Sequence, residues 1–355
     1  MSWLLIFVPV AIGLEHFAPE RYLLIFLASA LAIVPLAAWM GHATEQLATR
    51  MGEGVGGLLN ATFGNAAELI IAFAALRAGL HTVVKASLIG SIVGNILLVL
   101  GAAMLAGGLR HKEQHYNVAG ARSQATLLTL AAIALILPAA YRSAVGADAP
   151  ETGVLSVAIA GVLLAVYAAN LVYSLVTHAK LFTGSHEAEA PAHESAWSTG
   201  RAAGVLATAT AAIAWMSEIL VGAIEPSAET LGLNDAFVGV FVVAILGNAA
   251  EHATAVTAAL RNRMDLALSI AIGSSVQVAL FVAPLLVLAS LAVGPTPMDL
   301  AFSGGMVLTV LVAVLITGQV AGDGRSDWLK GVQLLAVYVI LGLAYFFAPA
   351  LPPPA

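Results

Sequence analysis

From Tyr22 to Phe347 the chain is a succession of long apolar runs joined by short polar connections, and almost every Lys and Arg lies in a connection. That pattern constrains the fold more than any single residue. A helix needs about 20 apolar residues to cross a bilayer, because only a helix satisfies its own backbone there. Hydrophobic residues make up 60% of the chain and charged residues 10%, against roughly 45–50% and 25% in soluble domains. An all-α integral membrane protein is expected. Eleven spans are predicted, near 3–14, 22–41, 54–77, 82–107, 122–141, 153–176, 202–224, 236–260, 266–292, 298–320 and 328–349. The first is short for a full crossing, and it reads as a span rather than a removable signal because no basic segment precedes it.

The long polar connection, residues 177–200, carries Glu187, Glu189, Glu194, three His and Pro191, and it splits the chain in two. It reads either as a solvated linker or as a cytoplasmic Ca²⁺ sensor. With the N-terminus cytoplasmic, ten Lys and Arg fall on the cytoplasmic side: Arg50, Arg110, Lys112, Arg122, Lys180, Arg201, Arg261, Arg263, Arg325 and Lys330. Four fall outside: Arg21, Arg77, Lys85 and Arg142. The bias predicts that orientation, with the C-terminal "APALPPPA" outside. A multi-pass protein of a bacterial inner membrane is the expected setting, with lipid and not nucleic acid around it. The lack of Cys excludes disulfides, iron–sulfur clusters and thiolate zinc sites.

Inside this apolar frame two carboxylates are out of place. "GNAAEL" at 64–69 returns as "GNAAEH" at 247–252, and a shift of 183 residues also pairs Gly56 with Gly239, Ala61 with Ala244, Ala72 with Ala255, Ala75 with Ala258, and "IGS" at 89–91 with "IGS" at 272–274. The chain is therefore read as duplicated: an N-terminal helix at 1–20, a first repeat at 21–176, the acidic loop at 177–200 and a second repeat at 201–350. Five crossings per repeat invert the second copy, an arrangement that in secondary transporters places the ion site at mid-membrane between the repeats. Glu68 and Glu251 would then face each other. A charge at the bilayer centre costs about 2.5–3.5 kcal/mol on insertion scales, so an intramembrane carboxylate usually serves a function.

Asn65 and Asn248 lie three residues before these carboxylates and share their helix face. Gly64 and Gly247 serve either close packing or local opening of the helix, which would bare carbonyl oxygens. Two carboxylates with amides and carbonyls form an oxygen-only set, suited to a hard cation such as Ca²⁺. One Ca²⁺ or two protons neutralise the pair, a natural basis for exchange. Ser91 and Ser274 match under the shift, whereas Gly94 and Asn95 meet Gln277 and Val278, so the site is expected to be asymmetric. Glu218, unmatched in the first half, is either an entry carboxylate or a structural hydrogen-bonding group. His252 is either a proton-coupling group or a packing residue. Glu45 and Glu229 are either solvated or part of a gate, and Asn60 aligns with Val243, outside the central site.

The stretches "HATEQLATRMGEGVGGLLNATFGNAAELII" (42–71), "KASLIGSIVGNILLVLG" (85–101) and "MSEILVGAIEPSAETLGLNDAFVGVFVVAILGNAAEH" (216–252) resemble the calcium/proton (cation/proton) exchangers, the CAX branch of the calcium/cation antiporters. The resemblance covers nearly the whole chain. It implies that Glu68 and Glu251 are the central ion- and proton-binding carboxylates, with Asn65 and Asn248 beside them. Asn-Ala-Ala within the motif, where sodium/calcium exchangers carry Ser/Thr and Pro, favours the proton-coupled branch. The expected activity is exchange of cytosolic Ca²⁺, with Mn²⁺ or Cd²⁺ as further candidate cargo, for protons. No cofactor is implied. A membrane enzyme finds no Ser/Lys dyad, His-rich cluster or phosphate loop here, and a channel more naturally uses a multimeric ring than a pseudo-twofold pair.

Overall fold

The computed structural model describes residues 2–51, 56, 58–59, 62–146, 151–178 and 197–348. Gly57, Asn60, Ala61, Lys180, the acidic stretch with Glu187, Glu189 and Glu194, and most of "APALPPPA" lie outside these residues. Among the described residues, eight helices are long and apolar enough to cross a membrane: α2 (Tyr22–Ala48), α4 (His81–His111), α5 (Val118–Val145), α6 (Glu151–Thr177), α7 (Thr199–Leu231), α10 (Met264–Ser290), α11 (Gly304–Asp323) and α12 (Trp328–Phe346). Two shorter helices, α8 (Asp235–Gly247) and α9 (Ala249–Leu260), meet at a bend of 63° and together have the length and apolarity of a broken span or a re-entrant loop. Two further helices are short, α1 (Phe7–Phe17) and α3 (Ala66–Arg77).

Two predicted spans thus differ from a plain crossing. The one near 236–260 is broken, and in the one near 54–77 a turn at Gly64–Asn65 separates the helical residues Thr62 and Phe63 from the helix that starts at Ala66. The break has one cause in both. Asn65 (φ −101°, ψ 21°) and Asn248 (φ −100°, ψ 6°) leave helical geometry for nearly the same bridge conformation, each directly after a Gly. Two 183-residue-related positions therefore interrupt their helices in the same way.

Polar caps start the helices that follow loops. The Asn117 side chain accepts from the amides of Ala119 and Gly120 at the head of α5, and Asp327 accepts from Leu329 and Lys330 at the head of α12. Gly324, left-handed at φ 72°, ends α11 and turns the chain into strand β2 (Arg325–Asp327), which pairs antiparallel with β1 (Glu113–His115). This ribbon lies between loops that the charge count assigns to one face. Gln114 extends the link, donating to the Ala259 carbonyl and to Asn262, both at 2.9 Å. Tyr116, whose hydroxyl donates to the Val320 carbonyl, is pushed up to about 12 by burial and so stays protonated.

On the other face, Lys85 donates to Asp299 and to the Ala301 carbonyl (3.0 Å), and Arg142 approaches Asp299 at 3.6 Å. Lys85 and Arg142 are two of the four cations that the count placed together there. The largest helix–helix interface joins α2 to α7. The remaining contacts come in matched sets: the C-terminal part of α4 packs on α12 as that of α10 packs on α6, and α5 packs on α10 as α11 packs on α4.

Small residues let the innermost helices touch by backbone. A methyl group on Gly90 of α4 would lie 2.2 Å from the Val240 carbonyl of α8, and one on Gly239 would lie 2.4 Å from the Ala86 Cβ. Gly90→Ala is therefore expected to lower the unfolding temperature in detergent, the cost of such overpacking being about 1–3 kcal/mol. Gly13, with nothing within 4 Å, is expected to accept Ala without loss. Equal melting of the two variants would contradict the close crossing.

Candidate functional site

The two helix breaks put a carboxylate in the first turn of a new helix on each side of the pseudo-repeat: Glu68 in α3 and Glu251 in α9. A helix N-terminus carries partial positive charge and unpaired amides, so each break favours an anion in that turn. The same break separates the Asn from the regular helix, which frees its amide to turn toward neighbouring elements. Sequence spacing thus becomes a geometry of paired oxygens.

The carboxylates come together across the halves. Glu68 abuts the second motif closely enough that a methyl on Gly247 would lie 3.0 Å from its Cγ, and it stands within electrostatic reach of Glu251 and beside the Asn248 amide. Glu251 lies beside Ser274. A small cavity opens next to Glu68, lined by Ser87, Ser91, Ala244, Gly247 and Val278; its free space of about 10 Å³ is one water's worth.

Five buried amide and hydroxyl side chains, with the half-buried Gln277, frame the pair. Asn248 donates to Ser91 at 3.0 Å, Asn95 donates to Ser274 at 3.1 Å, and Ser274 donates to Asn65 at 2.9 Å. Asn65 also donates to Gln277 at 2.5 Å. Each bond joins one half to the other. At this site three buried oxygens have no hydrogen-bond partner among the described residues: Glu68 Oε1, Glu251 Oε2 and Asn248 Oδ1. An unsatisfied buried acceptor costs about 1–3 kcal/mol, and more if charged, so three of them together call for a cation or protons.

The structure thus brings together Glu68, Glu251, Asn65, Asn248, Ser91 and Ser274. It adds Asn95 and Gln277, which the sequence singled out only as the point where the repeats diverge. It treats Glu218 differently. That side chain pairs with Arg77 at 2.9 Å and is 52% exposed, so it forms an ion pair between α7 and the end of α3 on the surface of the helix bundle. A carboxylate in an apolar run can face outward from one end of a helix, and the partner 141 residues away is not visible in sequence. His252 has an unpartnered buried Nε2 and follows Glu251 directly. Among the described residues no cluster of three or more His, Asp, Glu or Cys stands ready for a metal, so binding here draws on the carboxylate pair plus neutral oxygens.

Three interior helix segments widen to π geometry near these groups, Gly94–Val99 in α4, Val238–Val243 in α8 and Val278–Val282 in α10, the first and last one residue apart under the 183-residue shift. Such bulges commonly mark functional positions, because the extra residue leaves a carbonyl without its usual partner.

Eight membrane-length helices around paired carboxylates at helix breaks define the class as a multi-pass helical membrane protein. The chain belongs to the sodium/calcium exchanger protein family, whose sequence profile matches residues 21–176 and 201–347. It is 47% identical to a Ca²⁺/H⁺ antiporter of Synechocystis sp. over 363 residues, covering 98% of this chain and 97% of the relative. It is 42% identical to the Ca²⁺/H⁺ antiporter ChaA of Bacillus subtilis, covering 91% and 92%. The solved structure of native YfkE superposes with a TM-score of 0.82 at 38% identity, over 97% of this chain and 100% of that one.

Outside the carboxylate pair, the ion pairs differ in depth. Lys85 is 14% exposed beside Asp299, whereas Arg77 and Glu218 are both more than half exposed. Lys85→Met leaves Asp299 with the Ala301 amide and the longer Arg142 contact and is expected to destabilise the fold by on the order of 3 kcal/mol. Arg77→Met is expected to cost less than about 1 kcal/mol. Thermal unfolding of the two purified variants compares them, and a larger loss in Arg77→Met would reverse the ranking.

Proposed function

We propose that this chain exchanges cytosolic Ca²⁺ for protons across a cell membrane, with Glu68 and Glu251 binding either the metal or the protons. The observation that carries this reading is the set of three partnerless buried oxygens on Glu68, Glu251 and Asn248. Oxygen donors of this kind suit Ca²⁺, with Mn²⁺ or Cd²⁺ as competing cargo. The antiporter relatives at 42–47% identity point to the same ion pair.

Two ionised carboxylates in a medium of low dielectric repel each other strongly, and one divalent cation or two protons relieves that repulsion. The states with both carboxylates bare and with both ions bound are then disfavoured, and disfavouring them couples the two fluxes. Asn248, Ser91 and Ser274 supply neutral oxygen around the pair, and Asn65 beside them holds its helix break in register. Glu218, paired with Arg77, acts at the approach to the site. His252 relays protons to Glu251.

The site faces each side in turn. The repeats at 21–176 and 201–350 form an inverted pair, with residues 1–20 as an added helix and 177–200 as the acidic loop between them. The matched helix contacts of the two halves and the equal dihedrals of Asn65 and Asn248 support this arrangement. The protein sits in a bacterial inner membrane with its N-terminus cytoplasmic and its C-terminus outside.

Proton-driven ⁴⁵Ca²⁺ uptake into inverted vesicles tests the reading. Glu68→Gln and Glu251→Gln are each expected to bring uptake to background. Full exchange in either variant, or uptake that follows a sodium gradient and ignores protonophore, overturns it. Competition also fixes a sign with pH. Protons and Ca²⁺ bind the same carboxylates, so raising the pH on the loading side strips protons and lowers the Ca²⁺ concentration for half-maximal uptake, by up to about tenfold per pH unit for each proton displaced. A half-saturation value constant across acidic and alkaline buffers would exclude a shared site.

A further inference from the structure

The two motifs offer matching Asn side chains but do not hold them alike. Asn65 uses both ends of its amide on the second half: its Nδ2 donates to Gln277 Oε1 at 2.5 Å and its Oδ1 accepts from Ser274 Oγ at 2.9 Å. Exchanging the amide oxygen and nitrogen would leave both atoms facing the same two side chains, each of which can donate or accept. Asn65 is therefore fully engaged in either orientation.

Asn248 is held by different partners. Its Nδ2 donates to the Ala244 carbonyl and to Ser91 Oγ, both at 3.0 Å. A backbone carbonyl only accepts, so the nitrogen is fixed on that side and Oδ1 must point the other way. There it is buried, with no hydrogen-bond partner among the described residues. What separates the two halves is Gln277, because the 183-residue shift sets Gly94 in its place in the first half and Asn248 meets no matching amide.

We propose that Gln277 is a positioning residue that withdraws the Asn65 amide from the ion, so that Ca²⁺ is held by Glu68, Glu251 and the Asn248 carbonyl. The inference rests on Glu68 and Glu251 being the seat of the ion. A duplicated sequence then makes a one-sided site: Asn248 ligates, while Asn65, clamped by Gln277 and Ser274, fixes the position of its own helix break.

Ca²⁺ affinity of the purified full-length protein, read by calorimetry and by the Ca²⁺-induced rise in melting temperature, separates these roles. Asn248→Ala is expected to weaken binding by about tenfold or more, through loss of a liganding oxygen. Asn65→Ala and Gln277→Leu are each expected to weaken it by no more than about threefold, and the double variant no further than the more affected single one, because the two act as one pair. Asn248→Asp adds charge at a liganding oxygen and is expected to tighten binding, whereas Asn65→Asp is expected to leave affinity within about threefold, and this second comparison decides the matter if an Ala variant does not fold. Equal losses for Asn65→Ala and Asn248→Ala, multiplied losses in the double variant, or tightening by Asn65→Asp overturns the assignment. Wild-type affinity in both Glu68→Gln and Glu251→Gln would instead remove the shared site on which it rests.

Discussion

Two carboxylates placed near each other in a medium that cannot solvate them are the constraint on which the rest of this structure depends. In water a pair of unit charges 4 Å apart interacts by about 1 kcal/mol, and in a protein environment by several times that. The helix breaks at Asn65 and Asn248 answer part of the problem, since each carboxylate falls in a first turn where unpaired amides and the helix dipole favour negative charge. The frame of Ser91, Asn95, Ser274 and Gln277 fixes the breaks. What remains unsatisfied is the set of buried oxygens on Glu68, Glu251 and Asn248.

Holding that centre demands close approach of backbones, and the glycines are where it happens. Gly90 meets the backbone of α8 and Gly239 meets α4, while Gly108 and Gly331 bring the far end of α4 against α12. In a membrane there is no hydrophobic gain from burying one apolar face against another, so such contacts depend on van der Waals fit and interhelical hydrogen bonds. The outer cluster of Lys85, Arg142 and Asp299 and the ribbon on the opposite face then tie the ends of the bundle. Energetic weight is therefore spread over the two surfaces as well as the centre.

Much of this was legible in the residues. Apolar runs mark the long helices, and a lone Glu in an apolar run, repeated 183 residues later, marks the centre. Where the reading fell short, the missing information was tertiary. The bonds of Asn65 to Gln277 and of Asn95 to Ser274 depend on which helices become neighbours, and these partners lie 212 and 179 residues apart. The π segments at Gly94 and Val278 have no compositional mark, since their residues are those of any buried helix. "EQH" and "RSD" are too short and too polar to announce strands. Glu218, read as an entry carboxylate or a structural hydrogen-bonding group, pairs with Arg77, a partner 141 residues away that no local pattern announces.

The clamp on Asn65 also sets an order of events during synthesis. Its partner Gln277 follows 212 residues later, and at about 5–20 residues per second the first motif waits roughly 10–40 s for it. Throughout that interval Glu68 sits in the membrane without Glu251, Asn65 has neither of its partners, and β1 presents an unpaired edge. The nascent first half is thus a membrane-inserted intermediate with an open polar seam, and the chain that emerges last is the one that closes it.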